Sequence, residues 1–358
     1  MSDGQNGPIE PTKRQVFWRW AAIGLVVGVF LVWAQANAVG GITGMLEVGE
    51  ASALRPVIQE QLGDIPVAPG SGHDGQIFYG IGLDLGGTRV GPLLDDPGYR
   101  YRRILMPLVA SGFGLLDGRA LLYGQILVAL ASMSLASGTV AAMSRQAGRS
   151  DLLALAVVLN PGVWLSVQLL TSDVMSLALM VLGLYYFTQR RDRPSALWFA
   201  LSGLAKDIVL ITPIALGIKN QRKAIVLVPA AVLSVWMVIL TLMFGSGFNP
   251  RGNLAWPFMG MVEATSNWAH LDMKEWVYLG VSLGLVVVGA IWSLRRTWLR
   301  WPIASWTLLA VVSSNWVWDF GNNAVRAFAP IAVLVALAGS QVPTDSVATG
   351  EELTTAGT

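Results

Sequence analysis

A short polar stretch, "SGHDGQIFYGIGLDLGG" at residues 71–87, lies between two apolar segments and brings His73, Asp74 and Gln76 close together. A carboxylate or an imidazole can take the proton of an attacking hydroxyl group, so Asp74 and His73 are candidate general bases. A structural role is equally open, because an aspartate before an apolar helical stretch commonly accepts hydrogen bonds from the first free helix amides.

Three arginines follow in the same loop, where "LLDDPGYRYRRILMPLVASGFGLL" (93–116) places Arg100, Arg102 and Arg103 just before an apolar segment. The planar guanidinium fork matches phosphate oxygens, so these side chains predict binding to a lipid-linked phosphate. Unspecific contact with anionic lipid is the simpler interpretation. A carboxylate beside phosphate-binding arginines is typical of group transfer from a lipid phosphate to a hydroxyl.

A few ionisable residues interrupt the apolar segments, namely Asp173, Lys206, Asp207, Asp319 and Arg326. Such groups are costly in a bilayer unless they are paired or hydrated. Lys206 and Asp207 are consecutive and point apart on a helix, so each needs another partner. The five residues therefore predict either structural ion pairs or a hydrated pocket.

The composition places these residues in a membrane protein, since 54% of the chain is hydrophobic and 13% is charged. Runs such as 224–244 are apolar on every face, which favours helices over an alternating β-barrel pattern. We therefore predict an all-α, polytopic bundle of nine or ten spans in a single domain at 16–340, with disordered tails at 1–15 and 341–358. The spans are expected at 16–39, 119–143, 151–169, 172–188, 195–218, 224–244, 276–294, 302–318 and 324–340, with a shorter piece at 104–117.

Basic residues in short loops predict which side of the membrane each loop occupies. Lys13 and Arg14 place the N-terminus in the cytoplasm, so the long loop 40–103 is expected outside, with short amphipathic helices in it. The loops on either side of 195–218 are both basic, so both are expected on the cytoplasmic side. A single straight span between them would put them on opposite sides. Either this segment is broken and re-entrant, or one basic loop lies outside.

Four motifs in this order resemble a bacterial family of uncharacterised membrane proteins whose layout is similar to the GT-C class of glycosyltransferases. The motifs are "HDGQIFYGIGLD", "DDPGYRYRRILMPLVA", "LNPGVWLSVQLLTSDVMSLAL" and "LAKDIVLITPIAL". The resemblance implies an enzyme that uses a polyprenyl-phosphate sugar with inversion, and that has an essential acidic residue in its first outer loop. Asp74 falls on the aspartate of the family's DGQ motif, and Arg102 and Arg103 fall in its RYQR segment.

The chain departs from the usual family pattern at several positions. His73 and Met106 stand where tyrosine is usual, an arginine stands for the glutamine of RYQR, and "AKD" replaces "TRE". The last change keeps the charge signs at Lys206 and Asp207 but loses the bidentate geometry of arginine.

Together these features predict a glycosyltransferase of the bacterial inner membrane whose site faces outside. Asp74 is expected to act as general base, and His73 to assist or tune it. The phosphate is expected to bind to Arg100, Arg102 and Arg103, with a weaker contribution from Arg326, while Gln76, Asp173 and Lys206 line a sugar pocket. The expected partners are the polyprenyl-phosphate sugar donor, a lipid or glycan acceptor and membrane lipids, but not nucleic acid.

Two other classes of function stay open. A transporter or flippase would use Asp173, Lys206 and Asp207 on a translocation path. A non-catalytic subunit of an envelope-assembly complex would depend on no single polar residue. No cofactor is predicted, although the carboxylates at Asp74, Asp84, Asp95 and Asp96 make a divalent metal possible.

Overall fold

The computed structural model describes residues 12–115, 117–245 and 253–339, and most of them are helical. In chain order the helices are α1 (Lys13–Ala38), α2 (Arg55–Leu62), α3 (Asp74–Leu83), α4 (Pro97–Arg100), α5 (Leu105–Gly114), α6 (Gly118–Gln146), α7 (Leu155–Val158), α8 (Pro161–Gln168), α9 (Asp173–Thr188), α10 (Asp192–Ala205), α11 (Ile211–Lys219), α12 (Lys223–Phe244), α13 (Met259–Trp268), α14 (Met273–Ser293), α15 (Arg300–Val312), α16 (Asn315–Trp318) and α17 (Gly321–Ala338). Short 3₁₀ turns lie at Thr43–Leu46, Gly91–Leu93, Tyr101–Arg103, Asp151–Ala154 and Asp207–Leu210. Across the described ranges, β-pairing is limited to isolated bridges.

Within the described residues, five helices are long and apolar enough to cross a membrane, namely α1, α6, α12, α14 and α17. A sixth candidate is the segment 151–168, in which two helical pieces are bent by 51° at a short break. Hydrophobic runs of this length are typical of membrane-spanning helices. The chain is therefore an all-helical, multi-pass membrane protein, as its composition predicts.

The other predicted spans are helical but shorter or interrupted. In the part of the chain that the structure describes, length and composition therefore support five or six spans instead of the predicted nine or ten. The predicted span 151–169 is interrupted at Asn160 and Pro161, because the residue before a proline is disfavoured in the helical region. Segment 195–218 is broken at Lys206, whose backbone is extended, and continues as a 3₁₀ turn before α11 begins. The break that one of the two alternatives for this segment required is thus present at Lys206.

Small residues allow the helices around the site to approach closely, as is common in membrane proteins. A Cβ atom on Gly162 of α8 would overlap the Val325 carbonyl oxygen of α17, so the two backbones touch there. Asn160 fixes the same contact by donating its side-chain N–H to the Ala329 carbonyl oxygen at 3.1 Å. This contact holds Arg326, one residue beyond Val325, beside the start of α9.

The loop 39–117 folds back onto this bundle. Helix α3 packs on α5 and α6, and its Phe78, Tyr79 and Ile81 are buried. One of the short amphipathic helices expected in this loop is thus packed against the helices of the bundle. Tyr79 donates its hydroxyl proton to the Gly118 carbonyl oxygen at 2.9 Å, which ties α3 to the first turn of α6. The first turn of α3 thereby occupies a fixed position.

Candidate functional site

The Asp74 carboxylate lies among three guanidinium groups. Arg100 donates from Nη1 to Asp74 Oδ1 at 3.0 Å, while Nη1 of Arg103 and Nη1 of Arg326 lie 3.9 and 4.0 Å from Oδ2. Asp74 is 24% exposed, so the carboxylate is reachable from solvent although its neighbours are largely buried. Asp74 is the first residue of α3, where a negative charge interacts favourably with the helix dipole.

The alternative considered for Asp74 was a structural role as the N-cap of α3, and Asp74 does not have this role in the structure. His73 occupies the N-cap position of α3 and makes no side-chain capping bond. The carboxylate of Asp74 instead faces the arginines. Asp74 thus remains the candidate base for which the sequence singled it out.

The local sequence explains which arginines reach Asp74. Asp96 caps the short helix α4 by accepting a hydrogen bond from the Tyr99 amide at 2.9 Å, and the 3₁₀ turn Tyr101–Arg103 continues it. Residues three apart lie on the same face of such a turn. Arg100 and Arg103 therefore share one face, which is the face that meets Asp74.

Arg102 lies on the other face and does not join the predicted phosphate site. Its Nη1 is 3.4 Å from Asp207 Oδ2, and its side chain is only 7% exposed. The pair joins the arginine turn to the break after α10. Arg102 was predicted in the phosphate site, and the structure places its side chain in a buried contact between two segments.

His73 and Gln76 also turn away from Asp74. His73 Nε2 lies 3.3 Å from Glu47 Oε2. Gln76 is buried, donates to the Ser71 carbonyl oxygen at 2.7 Å and accepts from the Gly49 amide at 3.4 Å. The structure therefore places both side chains against the loop that precedes α3 and does not bring them to Asp74.

Asp173 and Lys206 form a second ion pair next to Asp74, and Arg326 joins the two. Lys206 Nζ donates to Asp173 Oδ1, Thr171 donates to Asp173 Oδ2 at 2.7 Å, and Arg326 Nη1 lies 3.6 Å from the same oxygen. Arg326 therefore contacts both carboxylates. Asp319, the other charged residue near α17, instead accepts a hydrogen bond from Asn267 at 2.9 Å.

Tyr99 is a site residue that the sequence analysis missed. The guanidinium carbons of Arg100, Arg102 and Arg103 lie 5.2 to 5.6 Å from its ring centre. Its hydroxyl oxygen accepts from Arg103 at 2.7 Å and from Asn253 at 3.4 Å. A tyrosine within four positions of three arginines was the signal for this cation–π arrangement.

The site carries more positive than negative charge. Arg100, Arg103, Arg326 and Lys206 stand against Asp74, Asp173 and Asp95. Asp95 accepts two hydrogen bonds from Arg100, at 2.8 and 2.9 Å, which orients the guanidinium toward Asp74. An anionic group such as a phosphate fits a cluster with excess arginine charge.

The charges also set the protonation of Asp74. Burial opposes its ionisation, but Arg326, Arg100 and Arg103 outweigh burial and hold the pKa of Asp74 below its usual value of 3.8. The free protein therefore carries Asp74 as a carboxylate at neutral pH. An anion bound to the arginines would offset their charge and raise the pKa of Asp74, which would make it a stronger base.

We expect this lowered pKa to appear as a pH-dependent contribution to stability. A depressed carboxylate pKa stabilises the folded state above the unfolded value near 3.8, and the contribution is lost as the pH falls through the lower folded value. The difference in unfolding midpoint between the wild type and Asp74→Asn, followed from pH 7 to pH 3, should therefore shrink only below about pH 4. A difference that grows on acidification would contradict the sign of this shift.

The four loop aspartates do not assemble into a metal site. Asp84 accepts from the amides of Arg89 and Val90, at 2.6 and 2.8 Å, while Asp96 caps α4. In the part of the chain that the structure describes, no three His, Cys, Asp or Glu side chains are grouped as metal ligands.

The structure thus brings six of the nine predicted site residues into one cluster: Asp74, Arg100, Arg103, Asp173, Lys206 and Arg326. The cluster connects the loop that follows α1 with the start of α9, the break after α10 and helix α17. No protein-family model, curated protein or solved structure matches the chain.

Proposed function

We propose that the chain is a membrane glycosyltransferase that transfers a sugar from a polyprenyl-phosphate donor to an acceptor hydroxyl, with inversion at the anomeric carbon. The observation that carries the proposal is the placement of one partly exposed carboxylate, Asp74, against Arg100, Arg103 and Arg326. A GT-C-like arrangement in the bacterial inner membrane, with the site outside, is part of the proposal.

In the proposed reaction the acceptor oxygen attacks the anomeric carbon and forms the new glycosidic bond. The bond between that carbon and the phosphate oxygen breaks, and the electron pair leaves with the polyprenyl phosphate. Asp74 takes the acceptor proton, and the guanidinium groups of Arg100, Arg103 and Arg326 stabilise the negative charge on the departing phosphate. The apolar bundle would hold the lipid tail close to the site.

The test uses purified protein in vesicles with a panel of polyprenyl-phosphate sugars and crude envelope acceptors. We expect one donor to be consumed, with one polyprenyl phosphate released for each sugar transferred. Failure of folded protein to consume any donor, while vesicles of the source membrane consume one, would contradict the proposal.

Tyr99 offers a second test of the arginine site. Tyr99→Phe removes the acceptor for Arg103 but keeps the ring that the three arginines contact. Loss of a hydrogen bond to a charged group should weaken donor binding roughly tenfold, because the freed Arg103 no longer points to the phosphate. Donor KM checks this result, and Tyr123→Phe, which alters an exposed tyrosine of α6, is the control.

A transporter is the second candidate, favoured by the break at Lys206 beside a buried ion pair. Broken helices with charges at the break are typical of transporter substrate sites. This function would require Asp173 and Lys206 and tolerate Asp74→Asn, whereas the transferase would require Asp74.

A further inference from the structure

The end of the bundle opposite to the Asp74 cluster carries a concentration of positive charge. Helix α9 begins at the cluster and ends at Thr188, 16 residues later, which corresponds to a length of about 24 Å. Three segments lie at this far end, at 189–193, 219–223 and 294–300. They contain nine lysines and arginines but one acidic residue, Asp192, in a chain whose totals of 24 basic and 22 acidic residues nearly balance.

The three segments meet around the ring of Phe187, in the last turn of α9. The ring of Trp298 stacks on it, with the ring centres 6.1 Å apart. The guanidinium carbon of Arg222 lies 4.2 Å from the centre of the same ring, and Arg222 Nη1 donates to the Phe187 carbonyl oxygen at 2.9 Å. The segments 189–193, 219–223 and 294–300 therefore form one continuous surface, which we call the basic face.

The basic face has little negative charge of its own. Asp192 is already paired with Arg222. In the turn between α14 and α15, Arg295 and Arg296 are exposed and have no carboxylate partner among the described residues. The other exposed cations of the basic face are Arg190, Arg191, Arg193, Lys219 and Lys223. Such a surface attracts an anion from outside the chain.

Aromatic rings hold two of the arginines at the ends of α14 and α15. The guanidinium carbon of Arg295 lies 4.5 Å from the ring centre of Trp292, and that of Arg300 lies 5.2 Å from the ring centre of Trp301. Arg300 Nε also donates to the Ser293 carbonyl oxygen at 2.8 Å. Tryptophan is enriched where membrane helices meet the lipid headgroups, so these contacts place the arginines at headgroup level.

Exposed apolar side chains adjoin the cations of the basic face. Leu294 precedes Arg295 and is 78% exposed, and Ile218 precedes Lys219 and is 69% exposed. This combination fits the boundary between headgroups and hydrocarbon, where charged groups reach the phosphates while apolar groups enter the acyl region. An acidic soluble protein would match the charges alone. The surface thus favours a lipid as its partner.

We propose that the basic face binds the headgroups of anionic phospholipids in the leaflet on its side of the membrane. The guanidinium groups of Arg295 and Arg296 donate hydrogen bonds to the phosphate oxygens, and the net negative charge of the lipid balances the unpaired cations. This surface is separate from the Asp74 cluster, and the proposal does not depend on sugar transfer.

The test titrates the full-length protein in detergent micelles with phosphatidylglycerol, or with phosphatidylcholine of the same acyl chains, and measures bound lipid by native mass spectrometry. We expect the wild type to bind phosphatidylglycerol at least about fivefold more tightly than phosphatidylcholine. Combining Arg295→Gln with Arg296→Gln should lower the affinity for phosphatidylglycerol roughly 5- to 30-fold, because each cation near an anionic surface contributes about fivefold. The affinity for phosphatidylcholine should stay the same.

The matched control combines Arg119→Gln with Lys274→Gln, which removes two exposed cations from the other end of the bundle. Lys274 also lies beside an aromatic ring, with its Nζ 5.8 Å from the ring centre of Tyr278. This variant should bind phosphatidylglycerol as the wild type does. A second variant, Arg295→Lys with Arg296→Lys, keeps the charge and should stay within about threefold of the wild type, which separates a loss of charge from a loss of folding.

Three results would overturn the proposal. Equal affinities of the wild type for the two lipids would show that the basic face does not select anionic headgroups. Equal losses in the control and in the glutamine variant would assign the effect to the net charge of the protein and not to this face. If the wild type in phosphatidylcholine nanodiscs binds a polyglutamate peptide but has no preference for phosphatidylglycerol in micelles, the partner is an acidic protein instead.

Discussion

Asp74→Asn is expected to lower the rate of sugar transfer at least about 100-fold, because the amide cannot accept the acceptor proton. The change keeps the size of the side chain. It also removes a negative charge from beside Arg100, Arg103 and Arg326, so the phosphate of the donor should bind at least as tightly as before. The loss should therefore appear in kcat and not as a higher KM for the donor.

Asp64→Asn is the matched control for this substitution. Asp64 lies in the same loop before α3, is exposed and is remote from the arginines in sequence. Its neutralisation should leave the rate within about twofold of the wild type, since an exposed substitution away from special contacts has little effect. Equal rates for Asp74→Asn and the wild type would show that Asp74 has no catalytic role.

Asp173→Asn should destabilise the fold strongly, by about 3 kcal/mol, because it leaves Lys206 buried without its carboxylate. The side chains of Asp173 and Lys206 are only 12% and 14% exposed, and Lys206 makes its ion pair with Asp173. Adding Lys206→Met to Asp173→Asn removes the stranded charge and should recover most of the loss. Thermal unfolding of the single and double variants in detergent measures both effects.

The ion pair between Arg222 and Asp192, at the start of α10, is the comparison for the single and double variants at Asp173 and Lys206. Asp192 is 38% exposed, so Asp192→Asn should cost less than about 1 kcal/mol. If the double variant at Asp173 and Lys206 is less stable than either single variant, the two side chains do not form the pair that sets this stability.

The positions of the long helices follow from hydrophobic length, which is why 119–143 and 224–244 correspond closely to α6 and α12. The interrupted segments were harder to predict, because hydropathy does not register a break at a polar residue inside an apolar run. Lys206 shows this: its extended backbone divides 195–218, and the charge pattern of the flanking loops was the one sign of it.

The candidate site also contains contacts that the sequence could predict and contacts that it could not. Arg100 and Arg103 reach Asp74 because they are three residues apart, a rule that could also have excluded Arg102. The meeting of Asp173, Lys206 and Arg326 depends on three segments that are far apart in the chain. The sequence therefore marked each residue as costly in a membrane but did not identify its partner.

Local contacts account for the positions of His73 and Gln76. Both lie next to Asp74 in the sequence, but α3 turns their side chains toward Glu47 and the Ser71–Gly49 loop. Proximity along the chain does not specify direction. Tyr99 was missed because its importance comes from what surrounds it in space.

The central claim is that Asp74 and its arginines cleave a donor instead of moving it. The most direct measurement follows a donor labelled in both sugar and lipid, in proteoliposomes of the wild type and Asp74→Asn, and quantifies cleavage and transbilayer movement together. We expect the wild type to release polyprenyl phosphate in step with sugar transfer, and Asp74→Asn to do so at least about 100-fold more slowly. Movement of the uncleaved donor by both proteins, abolished by Lys206→Met, would contradict the account and identify a transporter.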